Sequence, residues 1–505
     1  MVSGSEGGNQ GEGEELLTLD EAARLLGLSR STLHRMLRQG KLRGFKVGRQ
    51  WRFRRADLTK FGRMRDPSAA GVNVAEIDEQ LGRTVDHGAS VTVGPRLDGY
   101  PQTEEERAIE RVLTSVLGVA LSSSATDIHI DGGRGGVTVR VRIDGVLHEA
   151  SAYPSAIHRP LVSCIKAHAG IRLDQQQAPQ DGRFRVTHND VEYDVRTATI
   201  PAVYGESVVM RLLGRAADLL TLDNPKLGMS SRDLACYRRA LEAPMGMVIV
   251  SGPTGSGKTS VLYAGLQHIA RPEIKAMTVE DPVEFSFPWV TQAAVNVRAG
   301  FTYEQATRAL ARHDPDVVMV GDIRTLPVAE TCAQIAITGH LVMSTLHALS
   351  AAGAVVRLLE VGVEPFILAE SLSCVVSMRL VRKVCPQCGE PDQPSPALLS
   401  PLANRAQSGG GELPAKPTFR RGGGCDSCHH TGYRGRTAIF EVLEVTPEIS
   451  RLIVARAPVA AIQEAAVGDG MTTLAADGLG KAAGGITTVT EVSRVLPDGH
   501  ASAGT

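Results

Sequence analysis

Several features are missing from this sequence, and each absence removes a class of protein. No apolar run approaches the ~18 residues of a membrane-spanning helix, which excludes a helical membrane protein. The opening residues, MVSGSEGGNQGEGEE, lack the charged-then-apolar pattern of a secretory signal and read as a polar, disordered tail. There is no internal repeat. There is almost no net charge: 54 Lys/Arg against 55 Asp/Glu give −1 over 505 residues, so the whole molecule has no bias toward polyanions. Cysteine is scarce, with eight residues. Four stand singly (Cys164, Cys236, Cys332, Cys374) and four form two Cys-x-x-Cys pairs, which suits a metal in a reducing compartment better than disulfides. These absences point to a cytoplasmic globular chain. Its length suggests about three domains.

The charge that is present is unevenly spread. Residues 15–66 hold 14 Lys/Arg against 5 Asp/Glu, an excess that can contact phosphates. The organisation expected along the chain is a disordered tail at 1–14, a compact basic module at 15–66 and a Gly/Ala/Ser-rich linker at 67–100. A mixed α/β domain over 101–222 follows, from a helical stretch (EEERAIERVLTSVLGVALSS) and alternating strands such as VTVRVRI and ESVVMRLL. From 223 to 505, buried strands such as GMVIVS and DVVMV alternate with helical stretches, which argues for a parallel sheet covered by helices. The segment SPALLSPLANRAQSGGGELPAKP reads as a loose insertion within it.

Gly252-Pro253-Thr254-Gly255-Ser256-Gly257-Lys258-Thr259-Ser260 contains G-x-x-x-x-G-K-[ST], preceded by an apolar strand and followed by a helical run, the context this motif needs. The glycines let backbone N–H groups wrap phosphates, and the helix N-terminus adds a favourable dipole. Lys258 is then expected to reach the β/γ-phosphates of ATP and Thr259 to hold Mg²⁺. Downstream, DVVMVGD carries an apolar strand into Asp322, and TVEDPVEF offers Glu280, Asp281 and Glu284. Acids at strand ends beside a phosphate loop can coordinate Mg²⁺ or orient water. His340 and His347 bracket a further apolar run.

The stretch from about 101 to 495 resembles the type II secretion / type IV pilus assembly ATPases. The resemblance rests on ATDIHI, RVRIDGVL, QDGRFRV, IPAVYGESVVMRLL, GPTGSGKTSVLYA, TVEDPVE, RHDPDVVMVGDIR, TGHLVMSTLHA and GCDSCHHTGYRGRTAIFEVL. It implies an α/β fold in which a RecA-type P-loop ATPase core is preceded by a mixed α/β, PAS-like domain. It also implies a homo-oligomer, a hexameric ring, working with inner-membrane assembly platform proteins at the inner face of that membrane. By the same resemblance Glu280 activates the attacking water, Asp322 assists Mg²⁺ and His347 senses the γ-phosphate. Arg196 and Arg211, with Arg142 and Arg183 behind them, close onto the phosphates from the preceding domain. Three positions depart from the family pattern: Asp322 where Glu is usual, Ala348-Leu349-Ser350 where Thr-Asn-Asp is usual, and Met378 where Gln is usual. Asp322 is one methylene shorter than Glu, and misplacement by ~1 Å can cost about 10²-fold in rate.

The pairs Cys385/Cys388 and Cys425/Cys428 are expected to hold one Zn²⁺ in a closed, structural site within a subdomain at 381–440, ahead of a helical region at 441–495. The basic head reads as a winged helix-turn-helix. Thr18-Leu19-Asp20-Glu21 starts its first helix with a capping box, and Ser29 caps a second helix. That second helix presents Arg30, Ser31, Thr32, His34, Arg35 and Arg38. A hairpin turning at Gly48-Arg49-Gln50 adds Arg49 and Arg52. The head resembles excisionase-like modules, and it serves DNA binding or protein docking. Three readings stand: a motor that hydrolyses ATP to drive secretion or filament assembly, a nucleotide-gated DNA-binding regulator with weak or absent hydrolysis, and an inactive ring subunit.

Overall fold

The computed structural model describes residues 16–18, 21–22, 45–47, 50–54, 91–94, 103–213 and 221–496. The chain divides into two compact units, residues 1–214 and 215–505.

In the first unit, strands β1 (Leu16–Thr18), β2 (Phe45–Val47) and β3 (Gln50–Arg54) form a small sheet in the order β1-β3-β2. The hairpin expected around Gly48 is present as the antiparallel β2–β3 pair, and β1 adds a strand the sequence did not suggest. Phe53 is fully buried under it. Thr18 and Glu21 make the capping box: the Thr18 N–H donates to Glu21 Oε2 at 2.8 Å and the Glu21 N–H to Thr18 Oγ1 at 3.3 Å. The second helix of the expected motif, with Arg30, Ser31, Thr32, His34, Arg35 and Arg38, lies outside the described residues, as does Arg49.

The larger sheet of this unit is antiparallel, ordered β4-β8-β9-β10-β5-β6-β7. Its strands are β4 (Val91–Val93), β5 (Asp127–Gly133), β6 (Gly136–Ile143), β7 (Val146–Tyr153), β8 (Gln180–His188), β9 (Val191–Ala202) and β10 (Gly205–Leu213). The expected linker therefore contributes β4 to this sheet, where Val91–Val93 pairs with β8. Helices α1 (Glu104–Ser122) and α2 (His158–His168) cover one face. Helix α1 forms because Thr103 and Glu106 cap it reciprocally, and because Ile109, Val112, Leu113, Val116, Leu117 and Ala120 recur on one stripe. Ile128, Ile130, Val137, Val139 and Val141 meet that stripe. Alternation then sends Asp127, His129 and Asp131 to the opposite face.

The second unit is built on a sheet ordered β13-β12-β14-β15-β11-β16-β19. Its strands are β11 (Gly246–Ser251), β12 (Ala276–Glu280), β13 (Val290–Ala294), β14 (Val317–Val320), β15 (Leu341–Leu346), β16 (Leu372–Val384) and β19 (Tyr433–Glu444), with the short pair β17 (Gly389–Pro391) and β18 (Arg420–Gly422) beside it. Neighbours are parallel except β16–β19, which runs antiparallel. β11, β12, β14 and β15 are buried along their whole length, as strands with both faces covered must be. Val248 and Val250 face α3 (Ser231–Glu242) and α4 (Lys258–Ile269). Met247 and Ile249 face the other layer, which includes α5 (Tyr303–Leu310), α6 (Leu326–Ile337), α7 (Ala351–Val361) and α8 (Pro365–Ser371).

The segment read as a loose insertion is instead a helix, α9 (Pro396–Gln407). Pro396 sits in its first turn, where a missing N–H costs nothing. Leu402 and Ala406 are buried, with Leu399 and Ala403 packed beside them, so four apolar residues on one stripe outweigh the internal Pro401. The helices α10 (Pro447–Val454), α11 (Val459–Gly468), α12 (Leu474–Ala483) and α13 (Val489–Val495) close the unit. Buried Glu441 on β19 fastens two of the helices to the sheet. Its carboxylate accepts the first N–H of α7 (Ala351, 2.7 Å) and of α12 (Leu474, 3.2 Å), where helix dipoles favour an anion.

Glu491 on α13 anchors the last helix. It accepts from Arg382 (2.5 Å) and from two nitrogens of Arg494 (2.8 and 2.9 Å). Burial opposes its ionisation, but the two guanidinium groups win and bring the carboxyl to about 2. A depressed folded-state value stabilises the fold above the ordinary glutamate range and loses that stabilisation as pH falls toward about 2. Glu491→Ala is expected to cost about 3 kcal/mol at neutral pH, as breaking a buried pair does. Urea unfolding should show the difference shrinking as the pH is taken down through that window.

Candidate nucleotide site

The phosphate loop leaves the end of β11 and enters α4. Two of its glycines are required by geometry. Gly252 has φ 154°, and a Cβ there would sit 2.6 Å from Ser256 Oγ and 2.7 Å from the Met378 carbonyl. Gly257, at φ 97°, is the residue preceding α4, with no side chain capping the helix. The N-terminal N–H groups of α4 are therefore left to whatever enters the loop. Ser256 is buried and its Oγ has no partner among the described residues. Pro253, Thr254, Gly255 and Ser260 are exposed, while Thr259 is half-buried in the first helical turn.

Lys258 is buried, its Nζ donating to the loop's own carbonyls at Gly252 (2.8 Å) and Pro253 (3.2 Å). Burial pushes its ammonium below the ordinary lysine value; Asp322 opposes this and Arg379 adds to it. Asp322 follows β14 and is also buried. It accepts from Arg324 Nε at 2.8 Å and from Thr345 Oγ1 at 3.1 Å, and His347 Nε2 lies 3.7 Å from it. His347 is half-exposed at the end of β15. His340, at the start of that strand, donates from Nδ1 to the Ile335 carbonyl at 3.0 Å and so closes the end of α6. The two histidines thus separate into one beside the acid and one in the scaffold.

The acidic box separates in the same way. Glu280 ends β12 and is 4 % exposed. Both its oxygens are occupied: Oε2 by the Tyr263 hydroxyl, Oε1 by the Thr278 hydroxyl (2.6 Å) and the Gln292 amide (3.1 Å). Glu284, on the loop beyond it, is only half-buried, and Asp281 is exposed. Tyr263, Gln292, Arg324 and Thr345 were not singled out from sequence. Tyr263, Arg324 and Thr345 lie within the stretches that carry the family resemblance, but nothing in their residue type or spacing marks a role at the site.

Met378 stands against the loop, its carbonyl near Gly252 and its methyl near Gly257. Buried Arg379 donates to the carbonyls of Met378 (2.8 Å) and Leu349 (2.7 Å), which ties the departing segment after His347 to β16.

In the first unit, strand register gathers the four arginines named from sequence. Arg183 pairs with Arg196, Arg196 with Arg211, Arg211 with Asp127, and Asp127 with Arg142. Directly paired residues share a face, so this is one row across five strands. Arg211 Nε donates to Asp127 at 2.8 Å, and Arg142 lies 3.8 Å from the same carboxylate. Burial raises the Asp127 carboxyl, but hydrogen bonds from Arg211 and Thr126 bring it below the usual range.

The four cysteines of the two pairs meet at one point, all four sulfurs within 4.8 Å of one another. Neighbouring sulfurs are 3.7 to 3.9 Å apart. A tetrahedron with metal–sulfur bonds of about 2.3 Å has edges of about 3.8 Å, so the spacing fits a thiolate-bound metal. Burial resists ionisation of Cys428, yet the backbone N–H groups of Cys425 and Gly432 bring its thiol to about 6. In the head, Arg52 donates to the Trp51 carbonyl at 3.3 Å.

No helix among the described residues is long and apolar enough to cross a membrane. Residues 102–494 match the family described as Type II/IV secretion system protein, and residues 16–63 match a helix-turn-helix domain. The chain is 39% identical over 433 residues to the type II secretion system protein E of Pseudomonas aeruginosa, covering 85% of this chain and 83% of that one. It is 40% identical over 393 residues to the type IV pilus assembly ATPase PilB of Thermus thermophilus, covering 78% of this chain but 43% of that longer protein. Among solved structures, the Legionella pneumophila ATPase DotB superposes with a TM-score of 0.56 at 18% identity, covering 76% of this chain and 95% of that one. The ADP-bound pilus retraction motor PilT gives a TM-score of 0.53 at 22% identity, covering 76% and 96%. These two likenesses show a shared fold. With a phosphate loop, strand-end acids and a family match over most of its length, the chain belongs to the type II/IV secretion system protein family and is an ATP-hydrolysing enzyme of it.

Proposed function

We propose that the chain is the motor of a type II secretion or type IV pilus-like assembly system, working as a hexameric ring at the cytoplasmic face of the inner membrane with platform proteins there. The observation that carries this is the convergence of Lys258, Asp322 and His347 on one phosphate loop in a chain with these relatives. ATP binds through residues 252–260. Thr259 and Asp322 hold Mg²⁺, which neutralises charge on the β/γ-phosphates. Water activation falls to Glu280, whose carboxylate at the end of β12 is oriented by the Tyr263 and Thr278 hydroxyls and the Gln292 amide. His347 reports the γ-phosphate through Asp322. Arg196 and Arg211, with Arg142 and Arg183 in the same row, supply positive charge to the phosphates. The four cysteines hold Zn²⁺ as a structural pin. Hydrolysis by the purified chain, and its loss in Lys258→Ala, is the test of the motor reading.

The match of residues 16–63 to a helix-turn-helix domain supports a second element, a head that binds duplex DNA through Arg30, Ser31, Thr32, His34, Arg35, Arg38, Arg49 and Arg52. Replacing Arg30, Arg35 and Arg52 with Gln is then expected to weaken binding at least tenfold. It should also flatten the dependence of log affinity on log salt by about 0.9 for each phosphate no longer neutralised. Salt-insensitive or absent binding in a titration with fluorescent duplex assigns the head to protein docking.

A further inference from the structure

Ser251, the last residue of β11, pairs with Leu346 of β15 on one side and with Ser377 of β16 on the other, and Ser377 pairs with Glu441 of β19. Ile249, Val375 and Leu443 face the layer of α5 to α8. Alternation therefore puts Ser251, Ser377, Arg379 and Glu441 on that same face, and all four are buried. The Arg379 guanidinium donates back to the Met378 carbonyl at 2.8 Å and across to the Leu349 carbonyl at 2.7 Å. It is thus a strap over the end of β11, joining the exits of β16 and β15 at the point where the phosphate loop departs. The Ser251 and Ser377 hydroxyls have no partner among the described residues, so they do not make this connection. Both ends of the strap meet the site. The Met378 carbonyl lies 2.7 Å from where a Cβ on Gly252 would stand, and the Met378 methyl is beside Gly257. Leu349 lies two residues past His347. Its own side chain is 65% exposed, so this turn is held there through its carbonyl. Beyond it, Ser350 caps α7 by accepting the Gly353 N–H at 3.0 Å, and Glu441, whose charge favours the Arg379 cation, accepts the Ala351 N–H at 2.7 Å.

We propose that Arg379 is a positioning residue for nucleotide discrimination: it ties the segment that carries His347 to the side of the phosphate loop, and so sets His347 where it distinguishes ATP from ADP. This rests on the reading that His347 reports the γ-phosphate. The bridge needs a planar guanidinium, which offers several donors in a fixed fork. A lysine ammonium is a point charge on a flexible stem and lacks that fork. Lysine does keep a positive charge facing Glu441, so Arg379→Lys separates the bridge from the buried charge pair.

The experiment uses the full-length chain with Arg379→Lys, Arg379→Met, His347→Ala and the Arg379→Lys/His347→Ala double variant. Affinities for ADP and for the non-hydrolysable imido analogue of ATP are measured with melting temperature. Expected in Arg379→Lys is ADP affinity within about twofold of native and analogue affinity about tenfold weaker, the effect of losing a charge-assisted hydrogen bond that places the sensor. Arg379→Met should lose at least as much, and if it does not fold, Arg379→Lys decides alone. His347→Ala should show the same selective loss. The double variant should discriminate no worse than His347→Ala, because a positioner adds nothing once its target is gone. Native discrimination in Arg379→Lys beside its loss in His347→Ala overturns the strap and leaves the His347 reading standing. Equal losses of ADP and analogue affinity, with a lower melting temperature, also overturn it, as a packing effect. Native discrimination in His347→Ala overturns the underlying reading.

Discussion

Removing metal from the four-cysteine cluster is expected to unlock the outer end of the β16–β19 hairpin. Reduced, purified protein should carry one zinc per chain by elemental analysis. Cys428→Ser, or a strong chelator, should then lower the melting temperature and speed proteolysis within residues 385–432 at least tenfold. The size of the effect follows from how much the site holds. The Cys385 N–H donates to the Gly432 carbonyl at 2.9 Å, and the Gly423 N–H donates to the Cys388 carbonyl at 2.9 Å, so both knuckles also join the strands on which they sit. Zinc held by thiolates contributes about 10 kcal/mol in small isolated domains, and part of that should appear here. Because the ligands must be deprotonated, zinc retention should fail on acidification. Protein free of metal yet equally stable would remove zinc from the account.

Glu280→Gln is expected to lower kcat by about 10²- to 10⁴-fold, the usual contribution of a positioned general base. Nucleotide binding should survive, since the phosphate loop and Lys258 are untouched. Asp281→Asn is the comparison. That residue is exposed, and its charge acts on Tyr303 with those of Arg324 and Asp322, so its loss should perturb the Asp322 side of the site much less severely. Full activity in Glu280→Gln would move the role to another acid of the box.

The phosphate loop was legible because its chemistry is local: nine consecutive residues specify turn, helix start and lysine. The strands around it were legible because parallel strands covered on both faces read as plain apolar runs. The hydrogen bonds that orient Glu280 were not. They come from Tyr263, Thr278 and Gln292 on three different elements around the strand end, which residue spacing does not report. The arginine row was half legible. Arg183, Arg196, Arg211 and Arg142 could be named from motif positions, but their alignment with Asp127 depends on strand register, which sequence spacing does not fix. Helix α9 was misread because its prolines and flanking glycines look like loop. Its buried face is made by docking against α12, a tertiary gain that propensity does not report.

The departures at Asp322 and Met378 bear on rate. Asp322 lies 3.7 Å from His347 and is held by Arg324 and Thr345, so the shorter side chain is built into a defined network. The most direct test of the central claim is steady-state ATP hydrolysis by the purified full-length chain, with Lys258→Ala and Asp322→Glu alongside. The account predicts measurable Mg²⁺-dependent turnover that disappears in Lys258→Ala. An inactive native chain that gains turnover in Asp322→Glu would contradict it and describe a ring that binds nucleotide and holds it.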